Sequence, residues 1–155
     1  MNGAADPFAG MEFSHVALLV SDIEQSASWY SDVFGWTELF RAEQTEMLGD
    51  GNGHGGRGRI IMGKVGLTKV EFVQMYDPAI EPWVLNDHYG LMLISVTVPD
   101  LAPIRANLDR LGVPVKREVD FGGTRLLMVA DPDGIEAGFV GPRDDVTRGA
   151  TTGPT

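Results

Sequence analysis

FSHVALLVSDIEQSASWYSDVFG, from Phe13 to Gly35, reads as one strand, a helix start, a helix and a helix stop. Apolar residues fill both faces from Phe13 to Val20, so both sides of this strand should be covered. Alternation puts Phe13, His15, Ala17 and Leu19 on one face, and Val16, Leu18 and Val20 on the other. His15 is the polar group among them. Ser21 or Asp22 can cap the helix, with Glu24 or Gln25 completing a capping box in either register. Ile23, Ala27, Tyr30 and Phe34 then recur at helical spacing, and Gly35 stands where a left-handed cap is wanted. Val16, Leu18 and Val20 should pack on the helix, which leaves the His15 face pointing elsewhere.

The same unit returns from Leu93 to Gly112, LISVTVPDLAPIRANLDRLG. Asp100 is its cap, Leu101, Ile104, Leu108 and Leu111 its apolar stripe, and Gly112 its stop. Pro103 falls in the first turn, where a missing N–H costs little. Asp22 and Asp100 lie 78 residues apart in a chain of 155. An internal repeat of this length predicts two copies of one module.

Outward from the two helices, further strands are expected over Trp36–Ala42, Arg59–Gly63 and Lys69–Met75, and near 91–98, 115–119, 124–130 and 135–140. Each module then reads βαβββ, an α+β fold. Residues 1–11 and 142–155 are expected to be disordered tails, with one domain over 12–141. Within it, module 1 spans 12–80, a linker 81–88 and module 2 89–141. The glycine-rich stretch from Leu48 to Gly58 is expected to be a mobile hairpin tip or a lid. A βαβββ module leaves the sheet face away from its helix uncovered. Two such faces can share an open-barrel crevice, and chemistry is expected on those faces.

Composition narrows the partners. The chain is 43% hydrophobic and 22% charged, with a net charge of −10 and no cysteine. That balance argues against nucleic acid or an acidic membrane surface, and no run of residues approaches a membrane span. The absence of cysteine excludes disulfides and thiolate metal sites, and is compatible with the cytoplasm.

Two modules opened by HVALLVSD and closed by Asp131-Pro-Asp-Gly134 resemble the vicinal oxygen chelate superfamily. That group includes glyoxalase I, methylmalonyl-CoA epimerase, extradiol dioxygenases, and fosfomycin- and bleomycin-resistance proteins. The resemblance runs from residue 12 to 141. It implies a divalent metal held by one residue from the first strand and one from the fourth strand of each module. His15 and Glu71 stand at those positions in module 1. One imidazole and one carboxylate suit zinc, nickel, manganese or ferrous iron.

Module 2 departs from the pattern. Counting back from Asp100 puts Leu93 at the expected histidine, and anchoring on Tyr89-Gly90 puts Leu91 there. Counting forward from the DPDG turn puts Gly138 at the expected glutamate. Glu136, two positions earlier and of the same parity, is the candidate third ligand, and His88 can reach in if its segment bends toward the cavity. Arg59 and Arg125, on equivalent strands, either bind a carboxylate or face water. Leu93 and Met128 are candidate wall residues, with Met62, Met75 and Met92 core or wall according to parity. Trp29 and Tyr30 read as packing residues, and His54 as a solvated loop histidine.

The resemblance implies an isomerase, lyase, cyclase or dioxygenase of a small oxygenated compound, with His15 and Glu71 catalytic. Glyoxalase I and the epimerase need the full ligand set and are not expected. The alternative is a metal-free sequestering protein of the bleomycin-resistance type. A homodimer is expected in either case.

Overall fold

A computed structural model of the chain describes residues 11–44, 56–77 and 91–143. The expected linker 81–88, most of the glycine-rich stretch, His54 and His88 lie outside the described residues. The order of elements is β1 (His15–Leu19), α1 (Ile23–Phe34), β2 (Thr37–Gln44), β3 (Arg57–Val65) and β4 (Thr68–Asp77). Module 2 repeats it with β5 (Leu93–Thr97), α2 (Ala102–Leu111), β6 (Arg117–Phe121), β7 (Thr124–Ala130) and β8 (Glu136–Pro142). Each module forms its own four-stranded mixed sheet, in the orders β1-β4-β3-β2 and β5-β8-β7-β6. The first strand runs parallel to the last in each, and the other neighbours are antiparallel.

The predicted cap of the first helix and the predicted stops of both helices form. The Asp22 carboxylate accepts from the backbone N–H groups of Glu24 and Gln25 at 3.0 Å, satisfying two donors the helix itself leaves free. At α2 the cap position is Leu101, which makes no side-chain cap bond, and Asp100 one residue earlier accepts only from the Ala102 N–H, at 2.9 Å. Gly35 and Gly112 close the helices with φ of 65° and 67°, the left-handed conformation that costs a residue with a Cβ.

The sheets are not closed into a barrel. The modules meet through α1, whose Ile23, Ala27 and Tyr30 pack on Leu18, Val70 and Phe72 of the first sheet. Its Trp29, Val33 and Phe34 pack with Leu101, Leu108, Leu127 and Phe139 of module 2. Phe34 stacks on Phe139 with ring centroids 4.4 Å apart. The Tyr30 hydroxyl donates to the Asp131 carboxylate at 3.1 Å, and the Ser21 N–H donates to Asp133 at 3.0 Å. One helix therefore serves two sheets, and the opposite face of each sheet is left free of helices.

Trp36 fixes the first sheet at the end of α1. Its indole N–H donates to the Val70 carbonyl at 3.1 Å, and its ring lies against Gly63. A Cβ built at residue 63 would fall inside that ring. Gly63→Ala should therefore destabilise the protein by about 2–3 kcal/mol through overpacking, read as a lower urea midpoint.

Burial raises the Asp131 carboxyl above its ordinary range, against hydrogen bonds from Ile135 N–H, Tyr30 and Asp133 N–H that lower it. A carboxyl raised on folding contributes stability below its unfolded pKa and loses it as pH rises through the folded value. Asp131→Asn removes that dependence. The gap in urea midpoint between variant and wild type should shift in the variant's favour as pH rises from about 4 to about 7. A gap that stays constant would show that folding does not perturb this carboxyl.

Candidate functional site

Register decides which side chains share a face. In the first sheet His15 pairs with Lys69, and Ala17 with Glu71. Glu71 lies opposite Met62, and Met62 opposite Phe40. Ala17, Glu71, Met62 and Phe40 thus form one row on the face away from α1, with His15 on the neighbouring row. Side chains on these rows project together because the strand period is two.

His15 and Glu71 meet there. The imidazole Nε2 lies 3.7 Å from Glu71 Oε2, beyond a direct hydrogen bond and within ion-pair reach. The other ring nitrogen, Nδ1, is 3.0 Å from the Ser14 hydroxyl. The two partners differ in exposure: 38% of the His15 side chain is open to solvent, against 10% for Glu71. Among the described residues no hydrogen-bond donor reaches the Glu71 carboxylate. Leu19 and Phe40, on the same face, are each about half exposed. The pair therefore lies between the row of Ala17, Met62 and Phe40 and a polar row in which the exposed Lys69 and Lys64 follow His15, on a sheet face that carries no helix.

The second sheet repeats the geometry with other side chains. Leu93 pairs with Glu136 as His15 pairs with Lys69, and Ser95 with Gly138 as Ala17 pairs with Glu71. Gly138 is therefore the structural counterpart of Glu71, as counting from the DPDG turn predicts, and Glu136 is the counterpart of Lys69. A Cβ at residue 138 would stand 2.7 Å from Leu126 Cδ1 and 2.8 Å from the Leu127 carbonyl oxygen. The Leu126 side chain takes up the space that a longer side chain at 138 would need. Glu136 ends in an ion pair with Arg117, Nη2 to Oε2 3.3 Å.

Arg59 and Arg125 lie on the helix faces of their sheets, away from the His15–Glu71 pair. Arg59 contacts Gln74 and Glu24 of α1, and Arg125 contacts Asp120 and Glu118. Met128 is buried on the same face as Gly138 and Glu136. Met92 is more than half exposed, and Met62 is buried in the row with Glu71. Arg117 was not among the residues singled out from sequence. The alternation of β7 and β8 placed Met128 and Glu136, but only a side chain crossing between strands brings Arg117 to them.

Among the described residues no three histidine, aspartate or glutamate side chains gather where one metal could hold them. Glu136 does not join His15 and Glu71 within one chain, and its carboxylate is engaged by a guanidinium. Catalytic metals ordinarily keep three protein ligands. Within one chain and among the described residues, the donors that converge are one imidazole and one carboxylate, with leucine and glycine at the remaining two positions.

A family model described as the glyoxalase/bleomycin resistance protein/dioxygenase superfamily matches residues 12–139. The chain belongs to this superfamily. No curated protein sequence matches it. Solved structures of the superfamily superpose over nearly their full length. A glyoxylase/bleomycin resistance protein/dioxygenase domain from Frankia sp. EAN1pec is 20% identical, covers 86% of this chain and 98% of its own, and has a TM-score of 0.68. A glyoxalase family protein from Bacillus cereus is 18% identical over 85% and 94%, also at 0.68. A mutant of the fosfomycin resistance protein FosX from Listeria monocytogenes, complexed with Mn(II) and 1S,2S-dihydroxypropylphosphonic acid, is 12% identical over 88% and 97%, at 0.62. At these identities the likeness bears on the fold alone.

Adding a carboxylate at the vacant position should not restore a metal centre. Gly138→Glu is expected to destabilise the fold by about 1–3 kcal/mol through overpacking against Leu126 and the Leu127 carbonyl. Calorimetric titration with zinc or manganese should show no tight site in either wild type or variant. Micromolar uptake by the wild type would overturn the two-donor reading.

Proposed function

We propose that this chain is an enzyme of the isomerase or lyase type, in which His15 and Glu71 move a proton on a small oxygenated organic compound. The Glu71 carboxylate carries the reading. It is 7% exposed, has no hydrogen-bond donor among the described residues, and has an imidazole 3.7 Å away. A mostly buried carboxylate beside a partly exposed imidazole, on a sheet face that carries no helix, is an arrangement suited to moving a proton. The gap between Nε2 and Oε2 leaves room for a substrate atom to touch both.

In this reading Glu71 is the base that takes a proton from carbon beside a carbonyl. His15, with Nδ1 engaged by Ser14, presents Nε2 to the oxygen on which charge develops. No step is assigned to a metal. The cover for this face is proposed to be a second copy of the chain. Leu19 and Phe40 beside the pair, and Val119 and Phe121 on the second sheet, are exposed apolar residues on faces that no helix covers. Pairing the first sheet of one copy with the second sheet of another would cover both faces and close by twofold symmetry.

A sequestering role is the competing reading, favoured by the apolar Leu93, Leu126 and Met128 opposite the bare Gly138. Exchange of carbon-bound protons separates the two. Small α-hydroxyketones such as dihydroxyacetone are incubated with the protein in D2O and followed by NMR. Exchange catalysed by wild type should fall by about 10²–10⁴ in His15→Ala and in Glu71→Gln, with circular dichroism unchanged. A binder would show no exchange, and ligand affinity would drop by only about 1 kcal/mol in His15→Ala.

A further inference from the structure

The corresponding rows of the two sheets differ in one systematic way. Across the first sheet the row reads Ala17, Glu71, Met62, Phe40, and across the second it reads Ser95, Gly138, Met128, Arg117. Methionine faces methionine at the third place. Where the first row carries a carboxylate, the second carries bare backbone. Where the first ends in an exposed phenylalanine, the second ends in a guanidinium.

That guanidinium does not extend into solvent from the edge strand. Arg117 Nε lies 3.2 Å from the Met128 sulfur and Nη2 donates to Glu136 at 3.3 Å. To reach β8 from β6 the side chain must cross β7, two strand spacings of about 4.8 Å each. It therefore lies along the face, over Met128 and toward Gly138. Met128 beneath it is buried, and the Glu136 side chain is 13% exposed, so both anchors are fixed. Arg117 itself stays 55% exposed, and among the described residues Nη1 has no partner. Arginine presents a planar fork matched to a carboxylate, and one whose orientation is already set loses less entropy on binding.

We propose that this face is an oxyanion subsite, in which Arg117 binds the carboxylate of a small ligand. The ligand's apolar part would lie over Gly138, against Leu126 and Leu93. Glu136 is a positioning residue that holds the guanidinium through Nη2 and leaves Nη1 to the ligand. It also sets the charge class. Arg117 and Glu136 together are neutral, and the chain carries −10 overall, so a dianion such as phosphate gains little there while a monoanion can still accept from Nη1. This inference stands on the second sheet alone and does not depend on proton transfer by His15 and Glu71.

The test uses the full chain, with butyrate as the anionic probe and 1-butanol as its uncharged analogue, by calorimetry and by NMR of the arginine Nε–H signals. Butyrate should bind at least about tenfold more tightly than butanol and shift the Arg117 Nε–H signal. Arg117→Gln should abolish that preference. Glu136→Gln keeps an acceptor for Nη2 but removes the competing charge, so butyrate should bind severalfold more tightly. A residue that merely supports the fold would not give opposite signs in these two variants. Inorganic phosphate should bind no more tightly than butyrate. The preference should be present in wild type whether or not carbon-bound protons exchange, which distinguishes failure here from failure of the proton-transfer reading. Equal binding of butyrate and butanol by wild type would overturn the proposal. So would an undiminished preference in Arg117→Gln, weaker or unchanged butyrate binding in Glu136→Gln, or an Arg117 signal that does not move.

Discussion

The Asp131 carboxylate is the point on which the two modules turn. It accepts from the N–H groups of Asp133 and Ile135 at 2.9 and 2.8 Å, which fixes the turn that starts β8. It also accepts from Tyr30, a residue of the other module's helix, at 3.1 Å. The same turn holds Asp133 against the Ser21 N–H, next to the cap of α1. One nearly buried carboxylate thus spends its lone pairs on local geometry and on the joint between repeats. Burial pushes the Tyr30 hydroxyl well above its usual range, and the adjacent Asp131 charge pushes the same way, so the phenol stays a donor. The position of Glu136 follows from this turn, because β8 begins there.

Much of the fold could be read from the chain because both repeats carry the same punctuation. An aspartate at the helix start, a stripe at helical spacing and a glycine in the left-handed conformation occur at matching places. Each is enforced locally, by unsatisfied N–H groups at the helix start and by the absence of a Cβ at its end. The His15–Glu71 encounter was also legible. Two parallel strands on one helix must put their apolar faces inward, and Val16 and Val70 leave His15 and Glu71 on the far side. The same parity argument placed Gly138 at the fourth position of module 2, and the ladder between β5 and β8 agrees.

What the sequence left open depends on hairpin register and on long side chains. Arg59 shares a face with Ile61, and Arg125 with Leu127 and Val129, but only the β3–β4 and β7–β8 ladders say that this face meets the helices. There the arginines join carboxylates from the helix layer or the edge strand, exposed pairs of modest worth. Glu136 has the expected parity, yet in one chain it faces the partner of its own sheet. Strand alternation fixes where a Cβ points. It does not fix where a guanidinium several bonds further on comes to rest, so Arg117, on an edge strand exposed along its whole length, gave no signal.

The bare backbone at Gly138 constrains descent as well as chemistry. A fourth-strand carboxylate at position 138 would take more than one substitution, and the order is not free. Leu126 and the Leu127 carbonyl stand where any side chain at 138 must emerge, so the neighbouring strand has to yield first. A leucine that shrinks beside glycine leaves a void, itself unfavourable. Either first step lowers stability before the second can offset it. Packing between two neighbouring strands thus holds position 138 to glycine for as long as Leu126 fills the space beside it.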